Sequence, residues 1–152
     1  MITKNQLLQK LNDSQVAFQL HEHEPLFTVG DSEKKRGDIK GVHTKNLFLK
    51  NKKNKYFLFS CEESRSVDLK KLSKSLVLGN LSFAKEDALK KYLNISPGSV
   101  TPFGLLNDSE NKVNFFLDNG LTQGDQINFH PLENTATITM QVKDFVNFLL
   151  EN

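Results

Sequence analysis

The run His43-Thr44-Lys45-Asn46-Leu47-Phe48-Leu49-Lys50, followed by Asn51-Lys52-Lys53-Asn54 and then Lys55-Tyr56-Phe57-Leu58-Phe59-Ser60, decides the fold class. Two apolar-rich segments, Thr44 to Lys50 and Lys55 to Ser60, flank four polar residues, which predicts a β-hairpin. Strand alternation then points Lys45, Leu47 and Leu49 the same way. An ammonium heading a leucine face needs an anion or an acceptor. A lysine at a sheet edge can instead snorkel to water. Periodicity leaves both readings of Lys45 open.

Working outward, Thr3-Lys4-Asn5-Gln6 has capping-box form, and Leu7, Leu8 and Leu11 follow at helical spacing, so a helix is predicted over Lys4 to Ser14. Val16 to Leu20 reads as a short strand broken by Glu24-Pro25-Leu26, and Asp31 to Arg36 as a short helix ended by Gly37. Beyond the hairpin, Asp68 caps a helix through Leu76, with Leu69, Leu72 and Leu76 facing inward. A strand over Leu81 to Ala84 and a helix over Lys85 to Leu93 come next, the helix burying Ala88, Leu89 and Leu93. Phe103 to Leu106 and Val113 to Leu117 suggest a second hairpin across Asp108 to Asn111. Gln126 to His130 and Thr135 to Met140 alternate like paired strands, and Val142 to Leu150 closes with a helix. Regular βαβ crossovers are missing. The expectation is one α+β domain over residues 1–152, a mixed, mostly antiparallel β-sheet with helices packed around it.

The 152 residues suffice to bury roughly 70% of the unfolded chain's surface. At 38% hydrophobic and 25% charged, the composition is that of a soluble globule, and most of the 12 phenylalanines are expected in the core. The single cysteine, Cys61, excludes an intramolecular disulfide and fits a reducing compartment. Its place at a strand end marks it as a buried or bystander thiol. With no apolar signal region at Met1 to Gln6 and no long apolar run, a secretory signal and a membrane span are not expected, and a cytoplasmic location is. Net charge is only +2, but lysines cluster at Lys34-Lys35-Arg36, at Lys50, Lys52, Lys53 and Lys55, and at Lys70, Lys71 and Lys74. That pattern suits solvated surface or a locally basic rim and argues against indiscriminate nucleic-acid binding.

The run Ser96-Pro97-Gly98-Ser99-Val100-Thr101-Pro102-Phe103-Gly104 carries two prolines and two glycines but no charge. A rigid, small-residue loop of this kind can present backbone N–H groups to a ligand. Familiar catalytic devices are missing: there is no Gly-x-Ser-x-Gly elbow, no phosphate-binding GxxxxGK[ST] loop and no zinc motif. His21 and His23 would share a strand face, yet no third ligand accompanies them, so they read as surface histidines and no metal is expected. Ser99 and Thr101 lack an acid–base partner at fixed spacing and read as loop hydrogen-bonding groups. His130, between Phe129 and Pro131, is either a structural histidine or a catalyst.

Taken together, the segments His43 to Lys50, Pro97 to Gly104 and Asn128-Phe129-His130-Pro131-Leu132 resemble the free-standing editing domains related to the insertion domain of bacterial prolyl-tRNA synthetase. That group includes the YbaK-type Cys-tRNA deacylases. His21-Glu22-His23, Pro25 to Thr28 and Asp68 to Leu72 are similar to its Ala-tRNA(Pro) deacylase (ProX-type) branch. The resemblance spans about residues 3 to 150. It implies hydrolysis, in trans, of alanine wrongly attached to tRNA(Pro), with a pocket that admits alanine and excludes proline. Such a second sieve is needed because a missing methylene or two gives a synthetase only about 1–3 kcal/mol of discrimination each. An activated ester needs placement of water and charge stabilisation more than a triad, and in such sites the vicinal ribose hydroxyl assists. The resemblance implies that Lys45 anchors the terminal phosphate or the carbonyl region. Gly98, Ser99, Val100 and Thr101, stiffened by Pro102, would cradle the ester, while Asn46 and His130 orient substrate or water. Phe27, Leu47 and Phe129 would wall the pocket. No cofactor is implied. The partners implied are the alanine-charged acceptor end of tRNA(Pro), with prolyl-tRNA synthetase as a candidate, and neither DNA nor membrane. Hydrolysis of Cys-tRNA(Pro) or another small mischarged residue, a catalytically silent tRNA- or synthetase-binding module, and a generic RNA-binding protein are the alternatives.

Overall fold

A computed structural model describes residues 1–25 and 39–152. Helix α1 (Lys4–Asp13) begins where the sequence predicts it. The Thr3 hydroxyl accepts from the Gln6 N–H, and the Gln6 side chain accepts from the Thr3 N–H at 2.9 Å, a reciprocal capping box. Gln15 turns the chain with a φ of 58°, and strand β1 starts at Phe18 and ends at Glu22, two residues later than the apolar run suggests. The predicted short helix at Asp31 to Arg36, the basic triplet Lys34-Lys35-Arg36 and Phe27 lie outside the described residues.

The hairpin forms as read. β2 (Val42–Lys50) and β3 (Tyr56–Glu62) pair antiparallel, with Lys45 opposite Cys61 and Leu47 opposite Phe59. Asn51 sets the turn, its side-chain oxygen accepting from the N–H groups of Lys53 and Lys55, each at 3.0 Å. Asp68 caps α2 (Leu69–Leu76) through the Lys70 N–H at 2.9 Å. β4 is only Ser82–Phe83, followed by α3 (Glu86–Leu93). β5 (Val113–Leu117), β6 (Gln126–Phe129), β7 (Ala136–Gln141) and α4 (Val142–Glu151) complete the described elements. The sheet runs β1-β7-β6-β2-β3-β5, with β4 attached to β2. It is mixed and mainly antiparallel: only β2–β6 and β3–β5 run parallel among its pairs.

The expected hairpin between Phe103 and Leu117 does not form. Pro102 to Asn107 is a 3-10 helix, and β5 pairs with β3, in parallel. The Pro102 ring suits the first turn of a helix, and the Thr101 hydroxyl accepts from the Phe103 N–H at 3.4 Å. Phe103 then drops fully into the core. Asp108 redirects the chain, its carboxylate accepting from the Val113 N–H at 2.7 Å and the Lys112 N–H at 3.0 Å. Gly104 is small for packing reasons: a Cβ there would stand 3.1 Å from the Leu93 Cβ and 3.2 Å from the Ile95 Cδ1.

Alternation along the strands sorts the core. On one face of the sheet, β6 and β7 carry Ile127, Phe129, Ile138 and Met140 against Phe145 and Phe148 of α4 and Leu7 and Leu11 of α1. Phe48 and Leu58 extend the apolar layer on that face toward Leu89 and Leu93 of α3. On the other face, Leu47, Leu49, Phe57, Phe59 and Cys61 pack beneath Leu69 and Leu72 of α2. Lys45 belongs to this second face, one step beyond Leu47.

Candidate active site

β2 changes partner along one edge. Its first residues pair with β6, Val42 with Ile127 and His43 with Asn128; its last pair with β4, Leu49 with Phe83 and Lys50 with Ser82. Between those contacts the edge from Thr44 to Leu47 is paired with neither strand. Thr44 spans the lower margin, its hydroxyl donating to the Asn128 carbonyl at 2.7 Å, and the Phe48 carbonyl closes the upper margin by accepting from Ala84 N–H at 2.9 Å. The His43 carbonyl accepts from Glu63 on the β3 side. Strand alternation therefore turns the Asn46 peptide toward the opening. A crevice where neighbouring strands of a sheet part is a recurrent place for a ligand.

Lys45 stands in this opening, half-buried. Its ammonium has neither hydrogen bond nor ion pair among the described residues. Parity from the His43–Asn128 pair puts the Lys45 and His130 side chains on the same face of the sheet. His130 donates its Nδ1–H to the Ala136 carbonyl at 2.9 Å, which leaves the lone pair on Nε2. Burial lowers the His130 pKa; the Ala136 hydrogen bond opposes this, and the neighbouring His23 adds to the lowering. The imidazole is thus neutral near pH 7, able to accept a proton or a hydrogen bond at Nε2.

His21 and His23 are not the surface residues expected from spacing. Both are half-buried. His23 lies edge-on to His130 with ring centroids 6.3 Å apart; its Nδ1 is 2.8 Å from the Glu24 carbonyl and its Nε2 is 2.8 Å from the Thr137 hydroxyl. The His21 Nε2 is buried and has no hydrogen-bond partner among the described residues. Among the described residues no cluster of three or more His, Cys, Asp or Glu is arranged to hold a metal. The sequence carried a trace of His23's position, since residues 21 and 23 share a strand face. The contact of His23 with Thr137 and His130 depends on β1 pairing with β7, which is remote in sequence.

The other sequence candidates divide. Leu47 shares the Lys45 face. The Asn46 side chain lies on the opposite face and accepts from the fully buried Ser60 hydroxyl. Pro97 to Ser99 forms a 3-10 turn, with Gly98 half-buried at its centre and Ser99 buried. The Ser99 N–H is committed to the Ser96 carbonyl at 3.0 Å, so it is no free donor. The Gly98 and Thr101 amides make no hydrogen bond among the described residues. Val100 is anchored on the Phe48 face, and Thr101 and Pro102 are buried. The loop therefore lies on the face of the sheet opposite the Lys45 side chain. Leu132, at a left-handed φ of 71°, packs against both apolar clusters on the loop's side. Phe129 is 3% exposed and stacks on Phe145 with centroids 4.5 Å apart; it is a core residue and not a solvent-reachable wall.

Cys61, across the ladder from Lys45, is fully buried. Burial pushes its thiol up from the ordinary value, with the Lys45 ammonium the largest opposing influence, so it stays a thiol. A separate groove of about 810 Å³ at the start of β2 is lined by Glu62, Glu63 and Asp125 beside His43. Those carboxylates make it a poor seat for phosphate.

The lowered His130 pKa makes a stability prediction. As pH falls through about 6.5 the unfolded chain takes up this proton before the folded one does, so acid favours unfolding. His130→Gln is expected to shrink the loss of urea midpoint between about pH 7 and pH 5. Equal losses in variant and parent would show that His130 is as accessible to protons folded as unfolded.

Comparison with known proteins identifies the family. The aminoacyl-tRNA editing domain family matches residues 23–148. The prolyl-tRNA editing protein ProX of Acetoanaerobium sticklandii is 34% identical over 100% of this chain and 93% of its own. The bovine prolyl-tRNA synthetase associated domain-containing protein 1 is 36% identical over 94% of this chain and 86% of its own. A crystal structure presented as a proposed trans-editing enzyme for prolyl tRNA synthetase superposes with a TM-score of 0.73 at 18% identity, covering 98% of this chain and 93% of that one. The chain belongs to the aminoacyl-tRNA editing domain family, in the branch of its prolyl-tRNA editing relatives.

Proposed function

We propose that the protein is a deacylase that acts in trans on alanine mischarged onto tRNA(Pro). The observation that carries this reading is the half-buried Lys45 ammonium beside the sheet opening, unpaired among the described residues and on the same face of the sheet as the neutral His130. A cation left without a protein partner in such a place suits an anionic or carbonyl ligand. In this reading Lys45 draws in the terminal phosphate or the ester carbonyl. Water adds to the carbonyl carbon, the carbonyl oxygen gains charge, and the ribose oxygen leaves with a proton. The Asn46 peptide, turned into the opening, is a donor for the developing charge, and the Gly98 and Thr101 amides, on the sheet's other face, act on it only through that opening. His130 Nε2 holds the attacking water, and Leu47 forms part of the wall beside the methyl group. No step needs a metal or a cofactor. Acting on tRNA, the protein would work in the compartment of translation, with prolyl-tRNA synthetase as a candidate partner.

The deciding experiment incubates the protein with Ala-, Cys-, Ser- and Pro-tRNA(Pro) and measures free amino acid. Release of alanine with proline left intact is expected. Preferential release of cysteine or serine would reassign the substrate. Retention of tRNA with no release would make the protein a silent binding module.

A further inference from the structure

The Lys45 face carries a second feature at the far margin of the same opening. Phe83 of β4 is 62% exposed, beside Leu49 of β2 in the ladder. Parity places it on the face of Lys45, Leu47 and Leu49. Four residues along β2 and one strand across separate Lys45 from Phe83, about 14 Å at 3.3 Å per residue and 4.8 Å per strand. At about 3.4 Å per stacked nucleotide, that distance spans the last few nucleotides of a strand whose end lies at Lys45.

The chain leaving β4 passes round the sheet's edge from the Lys45 face to the Phe48 face, carrying Lys85, then the acids Glu86 and Asp87, then Lys90 and Lys91. Lys85 and Lys91 line a groove of about 360 Å³ with Lys50, Tyr56, Tyr92 and a single acid, Asp87. Lys85 and Lys91 are exposed and neither forms an ion pair among the described residues. The Lys91 ammonium lies 5.3 Å from the centre of the Tyr92 ring, and Tyr92 rests on Tyr56 with centroids 4.8 Å apart. The rings thus hold one end of the cationic wall in place. An exposed aromatic ring followed by unpaired cations is the combination that single-stranded nucleic acid requires: a π-face for a base and charges for the phosphates.

We propose that Phe83, Lys85 and Lys91 form a track for the single-stranded 3′ end of the substrate RNA, Phe83 stacking on a base and the two ammoniums pairing with phosphates. The proposal rests on the editing reading of Lys45 for its direction, but its test does not need hydrolysis. The chain has no tryptophan, so Phe83→Trp supplies a lone reporter at the site. Uncharged RNA minihelices are the probe, one ending in a single-stranded CCA and one blunt. Indole fluorescence is expected to quench with the first and not with the second. Phe83→Ala is expected to weaken binding of the overhanging minihelix by about tenfold, within the range for one base stack, and Phe83→Trp to preserve it. Replacing Lys85 and Lys91 together by glutamine is expected to flatten the salt dependence of log Kd by about 1.4, at 0.7 per phosphate contact on single strands. Equal quenching by the blunt RNA, unchanged affinity in Phe83→Ala, an unaltered salt slope, or no binding of either minihelix would overturn the track. Quenching by uncharged RNA in a protein that releases no amino acid would retain the track and defeat the deacylase reading alone.

Discussion

Lys45→Met is expected to reduce Ala-tRNA(Pro) hydrolysis by about 10²- to 10³-fold, the usual loss when a donor to developing charge is removed, while the urea midpoint stays unchanged or rises. The two halves of this expectation have one cause. A structural lysine in a half-buried position is held by a carboxylate or a carbonyl, and removing it leaves that partner stranded at a cost of several kcal/mol. Lys45 has no such partner among the described residues, while its neighbours on the same face are Leu47 and Leu49. Methionine keeps the length of the side chain and discards the desolvated charge, so the fold has nothing to lose. Single-turnover hydrolysis beside a urea melt reads both quantities. Full activity in Lys45→Met would remove the ammonium from the chemistry. A fall in midpoint of the size seen for broken buried pairs would instead make Lys45 a structural residue.

How much of this could be read from the sequence depends on how local the deciding interactions are. The β2–β3 hairpin was legible because Asn51 to Asn54 sets the register within the segment itself. The capping box at Thr3 and the Asp68 cap are likewise closed by residues at most three positions away. The opening beside Lys45 was not legible, because it exists only where β2 leaves β6 and meets β4, strands about 80 and 30 residues further along the chain. The parallel pairing of β5 with β3 was hidden for the same reason, and the apolar run Phe103 to Leu106 imitates a strand until the Pro102 and Thr101 start signals are weighed. The site residues divide along the same line. Lys45 and His130 stood out in the sequence by residue type and setting, while the direction of the Asn46 side chain was not legible. Asn46 has the parity of Phe48, so its amide group points to the face opposite Lys45 and finds Ser60 there. Phe129 has the parity of Ile127, and His130 that of Asn128, so alternation alone separates ring and imidazole onto opposite faces.

That separation gives the other large expected effect. If Phe129 walled the amino-acid pocket, trimming it would widen the sieve and let proline esters be hydrolysed. The structure puts the ring instead at the centre of the aromatic core, stacked on Phe145 at 4.5 Å and edge-on to Phe103 at 6.1 Å. Phe103 in turn meets Phe145 at 5.8 Å and Phe148 at 6.1 Å, so Phe129 closes a set of rings that ties β6 and the 3-10 helix to α4. Removing the ring should therefore act on stability: Phe129→Ala is expected to cost about 3–5 kcal/mol, a large share of the roughly 5–15 kcal/mol that holds a domain folded. The urea midpoint should fall by more than about 1 M. Because such a variant can be too unstable to assay, Phe129→Leu carries the specificity test. Leucine keeps an apolar side chain at the position, with a smaller cavity and an intact fold. Its hydrolysis of Ala-tRNA(Pro) should match the parent's, and Pro-tRNA(Pro) should stay uncleaved. Release of proline by Phe129→Leu, at a midpoint close to the parent's, would move the ring from the core to the sieve and require the amino-acid chamber to open on the Phe48 face of the sheet.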